Sequence, residues 1–158
     1  MTLLVVVAIT VVVAAGFGIA GAVEQAKLRS IAPVEWMSVG QPTPGGDAAT
    51  ITIRLEDTGR ALVENMPRGA EGNDFFGGRK YTCFRVEGDD VYSGPASWEW
   101  VSDFAVRLRF GSSSVLIFAD KSGYFLPDPD WENPSFRECG YADREWHLSP
   151  TAEFRRHR

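Results

Sequence analysis

Residues 105–119 read AVRLRFGSSSVLIFA, and this stretch decides the fold. In its first half Val106, Leu108 and Phe110 alternate with Arg107 and Arg109, the period of two that turns one strand face to a core and the other to water. Gly111-Ser112-Ser113 then turns the chain into the apolar run at 115–119, so the two halves make a β-hairpin.

The same grammar extends upstream. Residues 50–55 (TITIRL) put Ile51, Ile53 and Leu55 on one face and Thr52 and Arg54 on the other; Asp57-Thr58-Gly59 turns the chain back into a partner at 60–66. Residues 34–39 (VEWMSV) alternate loosely, and 40–47 (GQPTPGGD) carry the Pro and Gly of a loop. Residues 67–78 (PRGAEGNDFFGG) read as a long polar loop carrying Phe75 and Phe76. Residues 81–86 are strand-like, Gly88-Asp89-Asp90 turns, and 97–101 bring Trp98 and Trp100 to one face with Glu99 opposite.

Downstream, Lys121-Ser122-Gly123 turns into 124–126, Pro127-Asp128-Pro129-Asp130 interrupts, and 135–139 read as a last strand. About eight short strands joined by short turns predict an all-β chain, an antiparallel up-and-down barrel or sandwich. The expected organisation is an N-terminal membrane anchor or signal segment at 1–30, the β-domain at 31–142 and a C-terminal tail at 143–158.

Residues 2–23, TLLVVVAITVVVAAGFGIAGAV, carry no charge. As a helix at about 1.5 Å per residue they span about 33 Å, the thickness of a bilayer core. The run also parses as a signal peptide, with Ala20-Gly21-Ala22 supplying the small residues before cleavage after Ala22. Lys27 and Arg29 follow it, and the positive-inside rule then argues for a cytoplasmic domain. The position of the run and the composition of the domain favour the outside, giving a cell-membrane protein with an extracytoplasmic domain, or a secreted one if cleaved.

Cys83 and Cys139 are the two cysteines. In an oxidising compartment they are expected to pair, a bridge contributing about 3 to 4 kcal/mol by the chain-entropy model.

The residues Ile51-Thr52-Ile53-Arg54-Leu55-Glu56-Asp57-Thr58-Gly59-Arg60, then Asn65-Met66-Pro67, resemble small secreted or membrane-anchored bacterial proteins with a lipocalin-like β-barrel. Ala96-Ser97-Trp98-Glu99-Trp100 before AVRLRF, and Pro127-Asp128-Pro129-Asp130 before Phe136, extend the resemblance over residues 48–140. It implies a calyx or sandwich with a non-catalytic role, and it brings no catalytic or ligand residues with it. The chain departs from the pattern in lacking a lipobox cysteine and in having Ala96-Ser97 where a glycine usually precedes the tryptophan strand.

The net charge of −5, with Lys and Arg scattered, sets nucleic acid aside as a partner. No nucleophile elbow of the form G-x-S-x-G is present, and His147 and His157 both fall near the C-terminus, so no catalytic residue, metal ligand or cofactor is singled out. The acidic stretch Asp128, Asp130, Glu132 reads as a solvated turn.

Trp36, Trp98, Trp100, Trp131 and Trp146 are expected mostly in the core. If the barrel keeps a cavity, Trp98, Trp100, Phe75, Phe76 and Tyr124 are the candidate ligand residues. The leading expectation is a non-enzymatic binding module for a small apolar ligand or an envelope protein. An accessory subunit of a membrane protein complex and a secreted hydrolase are the alternatives.

Overall fold

Alternation along AVRLRF becomes burial in the computed structural model, which describes residues 31–39, 50–122, 128–141 and 144–152. Val106, Leu108 and Phe110 are buried, whereas Arg107 is half-buried and Arg109 exposed. There are eight strands among the described residues: β1 Val34–Val39, β2 Thr52–Leu55, β3 Arg60–Phe76, β4 Arg79–Ser102, β5 Ala105–Phe110, β6 Ser113–Ser122, β7 Asp128–Arg137 and β8 Glu145–Pro150.

Each strand pairs antiparallel with the next, and β8 returns to β1, so the all-β chain closes into a barrel in sequence order. Closure runs through Trp36↔Pro150, Met37↔Ser149, Ser38↔Leu148 and Val39↔His147, so that β1 and β8 are not edge strands. The inward side chains, among them Trp36, Ile53, Leu55, Val63, Leu108, Ile117, Phe136 and Leu148, form one core. The predicted hairpins at 50–66 and 105–119 are both present. The N-terminal helix and the signal reading fall on residues 1–30, outside the described residues.

Because consecutive strands are antiparallel, the turns sort to two ends. The β3–β4, β5–β6 and β7–β8 turns lie at one, here the arm end. The β2–β3 and β4–β5 turns lie at the other, the entry end, with Ile31 before β1 and Thr151 after β8.

Four local readings are corrected. Asp128, Pro129 and Asp130, expected in an interrupting turn, open strand β7 and pair with β6. The predicted loop at 67–78 is strand to Phe76, paired with β4 through Phe76↔Arg79; its Gly, Asn and Asp hide the alternation but leave the backbone free to pair. Gly88-Asp89-Asp90 is not a hairpin turn but a bulge inside β4, where residues 87–90 face only Arg68 between the pairs Pro67↔Val91 and Gly69↔Val86. Such a bulge bends the ribbon. The closing strand is β8, inside the stretch expected to be a tail, because Trp146 and Leu148 turn inward while His147 stays exposed.

Beyond that bulge the β3–β4 ribbon is an arm laid across the arm end. Gly69 starts it: a Cβ there would stand 2.1 Å from the Arg85 carbonyl oxygen and 2.8 Å from the Phe84 ring, so only glycine fits. The Gly69 amide donates to Ser113 Oγ at 3.1 Å on β6. Farther out, Cys83 is disulfide-bonded to Cys139, as the pairing predicted. The Cys139 amide donates to the Phe84 carbonyl at 2.9 Å, and the Gly140 amide to Asp74 Oδ2 at 2.7 Å. From β6 to the β7–β8 turn, the arm touches the strands opposite its own base.

Candidate functional site

Aromatic side chains occupy the barrel in two groups, one toward each end. At the arm end the Trp146 ring stacks on Phe136 (centroids 4.8 Å apart, 13° between planes), and Phe84 of the arm meets Phe136 edge-on at 5.9 Å. The antiparallel register places Phe136 and Trp146 opposite one another. The arm therefore contributes a core residue as well as a cover.

At the entry end the group is tryptophan. Trp36, early in β1, is fully buried and stacks on Trp131, early in β7, at 6.1 Å and 17°. Trp131 meets Trp100, late in β4, at 5.8 Å and 47°. Trp100 is only half-buried, so the group reaches the surface there. These three come from strands distant in sequence, and barrel closure alone brings them together.

What distinguishes this end is its polar bookkeeping. The indole Nε1–H groups of Trp36, Trp100 and Trp131 are buried and have no acceptor, and the Thr151 hydroxyl at the same end is buried and unpartnered too. A buried donor left unsatisfied costs about 1–3 kcal/mol, and native cores leave few of them. Trp98 shows the ordinary solution: its Nε1–H donates to the Glu56 carbonyl at 2.8 Å, pinning the β2–β3 turn. At the arm end Trp146 is the tryptophan left with an unpartnered N–H.

The five candidate ligand residues do not form one group. Trp100 lies in the entry-end tryptophan group, and Trp98 is buried beside it but committed to the β2–β3 turn. Phe75 is 71% exposed near the tip of the arm. The Phe76 side chain and Tyr124 lie outside what the structure describes. Trp36, Trp131 and Thr151 were not singled out as ligand residues; the tryptophan set was the one signal for the first two, and nothing marked Thr151.

Ion pairs dress the outside. Arg107 holds Glu71 of the arm and Glu99 of β4, with Arg109 also on Glu99 at 2.7 Å. Hydrogen bonds from Arg109 and Arg107 hold the Glu99 carboxyl below its usual range. The Phe75 and Gly140 amides do the same for Asp74. Burial pushes Glu145 up, but hydrogen bonds from Ser135 and Arg137 outweigh it and its net shift is downward. Hydrogen-bond donors thus favour the ionised form of these three carboxyls, the opposite of what keeps a general acid protonated. Among the described residues no three His, Cys, Asp or Glu side chains converge to hold a metal.

Set against protein-family models, curated proteins and solved structures, the chain matches none of them.

Proposed function

We propose that this chain is a non-enzymatic binding module whose barrel takes a small apolar ligand at the entry end, between Trp36, Trp100 and Trp131. The observation that carries this reading is the set of unpartnered buried donors there, beside apolar ring surface that reaches solvent at Trp100. Ligand pockets pair apolar walls with a few convergent polar groups, and barrel mouths are among their usual places. The closed eight-stranded barrel is consistent with the lipocalin-like resemblance, whose implied role is also non-catalytic.

In the same reading the module works outside the cytoplasm, tethered by residues 2–23 or secreted after cleavage at Ala22. The Cys83–Cys139 bridge supports an oxidising compartment. Impermeant thiol labelling of intact cells tests this: labelling that needs both outside access and prior reduction is expected, and labelling only after lysis overturns it.

For the ligand site, the full chain in its membrane is photolabelled with an apolar alkyl-diazirine, and the modified residues are mapped by mass spectrometry. Saturable labelling of the peptides bearing Trp36, Trp100 and Trp131 is expected. Labelling confined to residues 2–23 and the outer barrel surface, without saturation, overturns the reading.

A further inference from the structure

Resting on that binding reading, we infer that the ligand is a flat, uncharged ring system carrying hydrogen-bond acceptors on its edge, such as a ring carbonyl or lactone, rather than a plain hydrocarbon. Two independent features of the entry end require the two halves of this description.

The first is shape. Trp36 and Trp131 lie nearly parallel, 17° apart, and Trp100 is tilted by 47° against Trp131 at 5.8 Å. Behind Trp100 the stacked Trp36–Trp131 pair is buried, and the Trp100 face is one that a planar ring matches through offset stacking and a flexible chain matches poorly. Trp100, half-buried, is where such a ring enters.

The second is polarity. Three indole N–H groups and the Thr151 hydroxyl lie at one end without an acceptor, although Thr151 is itself anchored, its amide donating to the Glu35 carbonyl at 2.9 Å. All of these donors are uncharged, which suits a neutral acceptor better than an ion needing a counter-charge. A site with buried donors rejects an analogue that lacks the acceptor, since binding it leaves the donors unpaired and stripped of water. The arm end differs: its unpartnered donors are Trp146 Nε1–H and the charged Arg137 Nε–H, and they lie at the Trp146–Phe136 stack beneath a covalently fastened arm.

The test uses the full chain labelled with ¹⁵N-indole tryptophan, in which Trp98 supplies an internal control. The probes are coumarin, a planar two-ring lactone, and naphthalene, of the same two-ring shape without an acceptor. Coumarin is expected to move the Nε1–H signals of Trp36, Trp100 and Trp131 downfield, saturably, while that of Trp98 stays with Glu56. Naphthalene is expected to bind at least tenfold more weakly. Trp131→Phe, which keeps a ring but removes a donor, should weaken coumarin several-fold more than it weakens naphthalene.

Equal affinity for the two probes overturns the acceptor requirement while leaving the binding module standing. The absence of any saturable shift with either probe, in a chain whose indole spectrum is dispersed as a folded one, means that water satisfies these donors and overturns the binding reading with it.

Discussion

The two ends of this barrel solve the same problem in opposite ways. Each must cover aromatic core where the strands stop. The arm end does so with the chain's own ribbon, bent at the residue 87–90 bulge and fastened by Cys83–Cys139, the Asp74–Gly140 hydrogen bond and the Phe84–Phe136 contact. The entry end has Ile31 and Ala32 packed against it, and leaves Trp36, Trp100, Trp131 and Thr151 with donors unanswered. The arm end's own unpartnered donors, Trp146 Nε1–H and Arg137 Nε–H, lie under this fastened ribbon, whereas the entry end gathers three indole N–H groups and a hydroxyl without one.

Breaking the fastening should have the largest effect. Replacing Cys83 and Cys139 by Ser removes a loop constraint worth about 4 kcal/mol by the chain-entropy model. Hydrogen exchange should rise most in residues 69–86 and least at β1 and β2. A uniform rise across the barrel would mean that the arm is not a separate closure.

Gly69→Ala strikes the same closure from inside, since its Cβ would stand 2.1 Å from the Arg85 carbonyl oxygen. The substitution should cost about 1–3 kcal/mol in a denaturant titration, and a neutral result would show that Arg85 and Phe84 sit away from Gly69.

Trp98→Phe and Trp131→Phe sharpen the other side of the comparison. The first loses a hydrogen bond to Glu56 at 2.8 Å and frees the β2–β3 turn; the second loses an N–H that has no acceptor. In the ligand-free chain Trp98→Phe should therefore cost about 1 kcal/mol more than Trp131→Phe. Equal costs would show that the Trp131 donor is already bonded.

Acid has the smallest effect. The Phe75 and Gly140 amides hold the Asp74 pKa below its ordinary 3.8, so its contribution is fully present above about that pH and is lost as pH falls through the lower folded value. Amide shifts of Phe75 and Gly140 should titrate together below pH 3.8, and Asp74→Asn should abolish that step. A midpoint at or above 3.8 would place Asp74 off the arm's fastening.

Strand alternation made much of this legible in advance. At AVRLRF and TITIRL every second residue is apolar, and those side chains are the buried ones. Alternation failed at residues 67–78, where glycine and short polar residues carry no facial signal although the backbone still pairs with β4. It failed again at EWHLSP, a run too short to mark itself as the strand that closes the barrel.

Local pattern was enough to specify the class of fold, the inward faces of its clearest strands and the two sulfurs able to pair, because period and composition are local properties that any sheet must obey. Which tryptophans meet, which of their N–H groups find an acceptor, and which end the β3–β4 ribbon covers were decided only by closure of the barrel. Trp36, Trp100 and Trp131 are far apart along the chain and become neighbours only when β8 pairs with β1, and no local pattern encodes that distance.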